Sequence, residues 1–444
     1  MVGLAVEGPN YDLDNYQPNI FKTLSLILMA SRLVLAVQYV AAWWWLRKSK
    51  AHGPLLIHMA TMIVSSLVLL GLALAFSLSG PESVRFIDGW YVLFGVEAAV
   101  ILFVSGNNDL LDFRKTVIIE RLGLLTLIIL GEGIMGLGEA VGKIIEADGV
   151  FSSDVIGLIT SAVLIVYFLY MLYFDQIETK EEKEEKEEKE EEDKRRGIKS
   201  RGKKVDSLCQ QIWSLGHFPL HVCILLIVEG TSQLIIWRRI IDYLNLAFNE
   251  LTAIDFPAGN TTSDWVGYAA AINETLTNGS IFNFADTGAD FTDPLTAIAE
   301  SGGNQTTLEI GLFDILAIAV ETISESFQVE VPEGLAESGL DYFSQIIQIF
   351  STVFLYFLIS AGLNLILLAC LFLLGNKTKT RPEYMSIAIR LFVGIGLALL
   401  TTMYAPVASG SDNTDAFYNY LSSPWITPTV VIAYALGKSK SCLD

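Results

Sequence analysis

Long apolar segments separated by short polar ones dominate the pattern of this chain. An α-helix needs roughly 20 apolar residues to cross the hydrocarbon core of a bilayer. The pattern predicts an all-α, polytopic integral membrane helical bundle of about nine transmembrane helices in two halves. The predicted spans are Thr23–Leu46, Leu55–Leu78, Trp90–Val104, Val117–Leu137, Val155–Phe174, Ile212–Trp237, Ile346–Leu374, Met385–Tyr404 and Trp425–Leu436, and those at Trp90 and Trp425 have the weakest pattern.

The composition agrees with a membrane protein. Of 444 residues, 52% are hydrophobic and only 18% are charged, and the mean hydropathy is +0.48. Soluble globular domains carry more charge and less apolar sequence. The net charge of -20 does not favour nucleic-acid binding. No cleavable signal peptide is expected, since the first apolar run is too long and lacks a basic start.

Two polar segments divide the chain. Residues 1–174 form a predicted N-terminal membrane half, 175–208 a charged cytoplasmic linker, 209–238 a sixth transmembrane helix, 239–343 a long polar loop, and 344–444 a C-terminal membrane half. In the linker, Glu and Lys recur at spacings of three and four residues, which can support a solvated helix. We expect a flexible linker or a single exposed helix there, and a regulatory or partner-binding arm is the alternative.

Two pieces of the long polar loop have their own pattern. Ile240–Ala253 is amphipathic and is predicted to lie in the membrane interface. Ile310–Val320 is apolar but too short to span, so it is predicted to be a buried or re-entrant piece. A loop of this length is either disordered or functional.

Basic clusters set the predicted orientation, because cytoplasmic loops of membrane proteins are enriched in Lys and Arg. With nine spans every cluster falls on one side, so the N-terminus is predicted outside and the C-terminus in the cytoplasm. Residues 239–343 are then extracytoplasmic. The protein is predicted to lie in the plasma membrane or an endomembrane. That loop holds four glycosylation sequons, at Asn260, Asn273, Asn278 and Asn304. A fifth, at Asn376, is predicted to be cytoplasmic and unused.

Candidate chemistry begins with the segment Glu120–Gly133, which places Glu120 and Glu132 about 18 Å apart along one apolar helix. Arg121 is the only other charged residue between them. A carboxylate at membrane depth costs roughly 2.5–3.5 kcal/mol and usually faces a bundle interior with a partner. The alternative is a buried carboxylate that only ties helices together.

A second helix repeats this arrangement. His217 and Glu229 align with Glu120 and Glu132 at the same separation of twelve, and Gly follows both carboxylates. The match hints at a parallel internal repeat, as transporters use. His217 and His221 share one helix face and titrate near physiological pH, so with Glu229 they are candidates for a proton path. The alternative is interfacial histidines bonded to nearby backbone.

Intramembrane charges are normally paired. We therefore predict that Arg32, Arg121 or Arg390 neutralises one of three acids, Glu97, Glu132 and Glu229. Five glycines follow Leu130 on the Glu120 helix, and the spacing of Gly138 and Gly142 favours close helix packing. Local unwinding around Glu132 to line a cavity is the alternative use.

The same two helices carry a family resemblance. Glu120, Arg121, Gly123, Leu124, Thr126, Leu130, Gly131 and Glu132 resemble the signature of the low temperature requirement protein A (LtrA) family. The segment Gly216–Trp237 is similar to the His-x-Pro-Leu helix of that family, most of all in fungal members. Family members usually open with an acidic motif on an early membrane helix. This chain does not show that motif, and its start leads straight into what looks like a middle helix of the family.

These observations lead to a working function. We expect a proton- or cation-linked secondary transporter or channel of unknown substrate, whose candidate residues are Glu97, Glu120, Arg121, Glu132, His217, His221 and Glu229. A non-transporting membrane sensor or scaffold is the alternative. An enzyme is not expected, and neither a cofactor nor a metal is, because no catalytic pair, metal motif or phosphate-binding loop is recognisable. The expected partners are the bilayer and a small ion or proton, and the sequence does not indicate an oligomeric state.

Overall fold

The fold was analysed in a computed structural model, which describes residues 18–46, 52–78, 87–106, 118–147, 153–195, 207–257, 262–278, 287–302, 304–329, 339–375, 381–410 and 414–438. These residues are helical apart from turns and short connections. The helices are α1 Pro18–Leu46, α2 His52–Leu78, α3 Ile87–Gly106, α4 Ile118–Ala147, α5 Ser153–Arg195, α6 Ser207–Thr252, α7 Thr262–Asn278, α8 Thr292–Glu300, α9 Gln305–Ser326, α10 Gly339–Gly375, α11 Arg381–Leu400, α12 Ala405–Ala408, α13 Asp415–Leu421 and α14 Ile426–Lys438.

Among the described residues, seven helices are long and apolar enough to cross a membrane, and they coincide with seven of the nine predicted spans. The other two predicted spans are shorter apolar helices at Gly89–Val104 and Ile426–Lys438. The prediction of an all-α, polytopic membrane protein is therefore confirmed.

The chain divides into two compact units, which are residues 1–119 with 194–215 and residues 120–193 with 216–444. In the first unit α1 packs along α2, and α3 packs on α2. Its core is built around Leu69 and Trp90. The indole of Trp90 donates a hydrogen bond to Ser25 Oγ at 3.1 Å, so the one polar atom of this aromatic side chain is satisfied inside an apolar cluster.

In the second unit α6 is the most buried of the long apolar helices. It does not stop at Trp237 as predicted but continues to Thr252. At 1.5 Å per residue this helix is roughly 69 Å long, more than twice the thickness of a bilayer core. The stretch Ile240–Ala253, predicted to lie in the membrane interface, is the end of this continuous helix, where Ile240 and Tyr243 are buried.

An arginine holds the far part of α6 in place. Arg238 pairs with Asp154 on α5 at 2.9 Å and with Asp242 one turn along α6 at 2.8 Å, and it donates to the Ser422 carbonyl. The neighbouring Trp237 indole donates to the Leu421 carbonyl at 3.0 Å. These contacts tie the start of α5 and the end of α13 to α6.

The region predicted as a polar loop contains three helices, α7, α8 and α9. They pack in sequence, α7 on α8 and α8 on α9, and α9 packs on α10. The apolar piece Ile310–Val320 lies in the middle of α9, where Gly311, Ile315 and Ala319 are buried. The Glu/Lys-rich linker also forms helix, since α5 continues without a break to Arg195.

Candidate functional site

The signature helix α4 buries one narrow stripe. Its buried positions are spaced alternately three and four residues apart, which is the seam of a helix that packs with a single face. They are Gly123, Thr126, Leu130, Gly133, Leu137, Ala140 and Ile144. The predicted site residues Glu120, Arg121 and Glu132 are exposed and lie away from this stripe.

Part of the stripe packs on α6. A Cβ added to Gly133 would overlap Val228, and a Cβ added to Gly136 would lie 3.6 Å from Ser232 Oγ. Thr126 is hydrogen-bonded to His221. Each α6 partner is numbered 95 or 96 higher than its α4 partner. A register that stays constant along the chain direction means that α4 and α6 run parallel. Glycine at 133 is what permits the approach.

The glycines that contact another helix are not the pair predicted from the sequence. The structure places nothing within 4 Å of a Cβ added at Gly138 or Gly142, so the prediction that this pair packs closely against another helix is wrong for the described chain. Gly133 and Gly136 make the contact instead, because Gly133 lies on the buried stripe and the half-buried Gly136 lies beside it. Local unwinding around Glu132 does not occur, since α4 is continuous through it.

Glu132 and Glu229 are both exposed, and they lie on the same side of the α4–α6 pair. Glu132 precedes the contact residue Gly133, and Glu229 follows the contact residue Val228. Each step turns the side chain by about 100°, and in parallel helices these opposite steps turn both side chains the same way. Helix α5 lies on the other side, where Gly123 faces Phe174.

The two carboxylates also lie at nearly the same depth. With an offset of 95, the residue of α6 level with Glu132 is Ile227. Glu229 is two residues, or about 3 Å, further along α6. Packed helices have axes roughly 8–10 Å apart, so flexible glutamates on neighbouring helices can approach each other. Glu229 accepts a hydrogen bond from Gln233 at 3.0 Å. Within the described residues neither carboxylate has an arginine or lysine partner.

The histidines form a separate, buried cluster. Thr126 Oγ1 lies 2.7 Å from His221 Nε2, and the same hydroxyl donates to the Leu122 carbonyl at 3.0 Å. The rings of His217 and His221 are 6.0 Å apart, and the Tyr173 ring of α5 meets His217 edge-on at 5.8 Å. The cluster therefore joins α4, α5 and α6.

A proline lies inside this cluster. Pro219 stands between the two histidines in the first third of α6. It has no main-chain N–H, so the carbonyl four residues earlier loses its helical donor. The cluster thus combines titratable side chains with an interrupted backbone ladder.

Glu97 belongs to the other compact unit and is ion-paired there. Arg32 Nε lies 3.1 Å from Glu97 Oε2, and the Arg32 guanidinium stands over the Phe94 ring. This confirms the prediction that one of the three arginines neutralises one of the three acids. Arg390 instead donates to the Gly437 carbonyl at 3.1 Å, and Arg121 is exposed.

Sequence reasoning singled out the histidines but did not assign a site role to Thr126 or Tyr173. For Thr126 a signal existed, because it lies seven residues before Gly133 and therefore on the same stripe. For Tyr173 no such signal existed. Tyr167, Tyr170 and Tyr173 follow one another near the end of a predicted span, as in an ordinary aromatic belt.

The fold defines a polytopic integral membrane protein whose polar side chains converge on α4 and α6. The sequence profile of the family described as "Bacterial low temperature requirement A protein (LtrA)" matches residues 16–243. The chain therefore belongs to the LtrA family. The matched part includes all seven candidate transport residues. Comparisons with curated proteins and with solved structures give no significant match.

Proposed function

We propose that this protein is a proton- or cation-linked secondary transporter or channel, with Glu132 and Glu229 as the coupling acids. The observation that carries the proposal is their shared side and depth on two parallel helices without a cationic partner in the described chain. An ionised carboxylate at membrane depth is costly without compensation. Binding a proton or a cation removes that cost.

We infer that a single proton or cation is held between the two side chains when the ion is bound. Release and capture of that ion in turn is the elementary step that ion-coupled transport needs. The substrate class beyond the ion is not proposed.

The histidine cluster supplies a second group of proton acceptors on the same helices. His221 lies about one and a half to two turns from the level of the acids, toward the end of α6 predicted to be cytoplasmic. We assign His217 and His221 to proton relay at that end, and Glu120 and Arg121 to the entrance at the start of α4. Glu97, neutralised by Arg32, is assigned to stabilising its own compact unit and not to carrying the ion.

The proposal is tested with the full chain in liposomes that enclose a pH-sensitive dye, with a potassium gradient and valinomycin to set the potential. Proton flux and rubidium uptake are both measured. The wild type is expected to exceed protein-free liposomes, and Glu132→Gln and Glu229→Gln are each expected to slow flux at least tenfold. Glu146→Gln, an exposed acid on the same helix, is the matched control and should leave flux unchanged.

Two results would contradict the proposal. One is wild-type flux in the Glu132→Gln protein. The other is no flux of either ion above the protein-free level.

A membrane sensor or scaffold is the second candidate. It is favoured by the folded helices α7–α9 in the segment predicted to be extracytoplasmic, and by the long helical arm at the end of α5. Deletion of residues 180–194 would then remove signalling or partner binding and leave the membrane helices folded. An unchanged cellular phenotype after this deletion argues against the sensor.

A further inference from the structure

An open cleft of about 710 Å³ lies between α7 and α8, outside the candidate membrane spans. Its size is within the range of about 300–1,000 Å³ typical of small-molecule sites. One wall is the face of α7 that carries Ala269, Asn273 and Thr277, and the other is the face of α8 that carries Leu295 and Thr296. Nothing in the proposed transport function uses it.

The floor of the cleft is apolar. Ala269 and Phe291 are buried, and Leu295 lies beside them. This surface suits a ligand with methylene groups rather than a fully polar one. A simple inorganic ion would leave the apolar floor in contact with water.

The polar groups of the cleft offer acceptors almost exclusively. Thr277 donates its hydroxyl proton to the Asn273 carbonyl at 2.7 Å, and Thr296 donates to the Thr292 carbonyl at 2.8 Å. Thr292 bonds to the Asp290 carboxylate through its main-chain amide, at 2.9 Å, and also through its side chain. A hydroxyl has one proton to give, so these side chains have only lone pairs left for a ligand. The Asn273 amide also lines the cleft, and no ligand contact is assigned to it because Asn273 is the acceptor residue of a predicted glycosylation sequon.

Both ionisable side chains that line the cleft are acids, and they stand at opposite ends. Asp290 precedes α8 and Glu300 is its last residue. At 1.5 Å per helical residue they are separated by roughly 12–15 Å. The two hydrogen bonds from Thr292 lower the pKa of Asp290, which keeps this carboxylate ionised. The cleft thus has a negative charge at each end and an apolar, acceptor-lined centre.

We propose that this cleft binds a linear aliphatic polyamine. Terminal ammonium groups pair with Asp290 and Glu300, the methylene groups lie on Phe291 and Leu295, and an internal amine donates to Thr296. Only a donor-rich, positively charged chain satisfies every part of this lining. Spermidine is long enough to reach both carboxylates, whereas diaminopropane is too short.

The test is isothermal titration of spermidine into the detergent-solubilised full chain at physiological salt, with protein from a host that adds no N-linked glycans. We expect one saturable site. Asp290→Asn and Glu300→Gln should each weaken binding about tenfold, as expected for loss of one charge-assisted hydrogen bond. Glu321→Gln, an exposed acid on α9 outside the cleft, is the matched control and should bind like the wild type. Diaminopropane and butylamine should each bind at least tenfold more weakly than spermidine.

Several outcomes overturn the proposal. They are the absence of saturable binding, equal affinity for spermidine and diaminopropane, and an effect of Glu321→Gln as large as that of the cleft variants. The last would show that spermidine associates with the acidic surface in general. Circular dichroism of each variant establishes that a loss of binding is not a loss of folding.

Discussion

Thr126 Oγ1 and His221 Nε2 lie 2.7 Å apart where α4 crosses α6. The Thr126 hydroxyl is also within hydrogen-bond distance of the Leu122 carbonyl of its own helix, at 3.0 Å. A single threonine therefore holds the ring of the buried histidine in position. It also ties the signature helix to the helix that carries Glu229.

Thr126→Val tests this link, because valine keeps the shape and removes the hydroxyl. The buried Nε2 of His221 is then left without its hydrogen-bond partner, which costs about 1–3 kcal/mol. We expect a lower midpoint of thermal unfolding in detergent. Thr160→Val on α5 is the control, since Thr160 is exposed and bonds only to the Ile156 carbonyl of its own helix. Equal midpoints for the two variants would show that the bond to His221 does not contribute to stability.

The Arg32–Glu97 pair predicts a strong coupling in the first unit. Both side chains are largely buried, and removal of one partner of a buried pair leaves an uncompensated charge. We expect Arg32→Gln or Glu97→Gln alone to destabilise the protein toward the low end of roughly 3–5 kcal/mol. The double variant should lose less than the sum of the two. The measurement is a double-mutant cycle by denaturant unfolding, and strict additivity would exclude an energetic pair.

Gly133 predicts a steric requirement between α4 and α6. The Cβ of Gly133→Ala would overlap Val228, so the two helices must separate, and flux in the liposome assay should fall with stability. Val228→Ala in the same chain should restore much of both, because it removes the two methyl groups, at 2.3 and 3.0 Å, and leaves only the Val228 Cβ at 3.0 Å. Gly131→Ala, which meets nothing within 4 Å, is the control. Failure of Val228→Ala to rescue would mean that Gly133 is needed for another reason.

The parallel course of these helices could be foreseen from their shared separation of twelve, and the burial of the histidines from the apolar sequence around them. The side to which Glu132 and Glu229 turn could not. It depends on which of five glycines forms the contact, and composition does not distinguish Gly133 from Gly138. The cleft was equally hidden, because its acceptor character arises from threonine hydroxyls bonded back to their own helices. The polar, glycine-rich composition of residues 239–343 predicted a loop, whereas the structure has helices α7, α8 and α9 in this segment.

Gly362 and Gly394 predict a backbone-to-backbone crossing of α10 and α11. A Cβ on Gly394 would lie 2.7 Å from the Gly362 carbonyl oxygen, and a Cβ on Gly362 would overlap the Gly394 carbonyl. Because both neighbours are main chain, no side-chain rotation relieves the clash. We expect Gly362→Ala to abolish stable folding, measured as loss of the monodisperse peak in size-exclusion chromatography. Gly396→Ala, with nothing within 4 Å, should elute like the wild type, and a normal peak for Gly362→Ala would contradict the crossing.

The predicted orientation is tested by glycosylation. In a eukaryotic host, Asn260, Asn273, Asn278 and Asn304 should carry N-linked glycans that an endoglycosidase removes, and Asn376, which lies outside the described residues, should carry none. At Asn304 two effects must be separated, because its side chain also caps α9 by accepting a hydrogen bond from the Thr306 amide at 3.1 Å. Asn304→Gln removes both glycan and cap, and loss of a cap costs about 0.5–2 kcal/mol.

Thr306→Ala separates them, because it destroys the sequon and keeps the main-chain amide that Asn304 accepts from. Both variants should therefore lose the same mass step on a gel, and only Asn304→Gln should also lose stability. A glycan on Asn376, or an unmodified segment 239–343 in a host that glycosylates, would reverse the orientation. The cytoplasmic assignment of the histidine cluster would then be reversed with it.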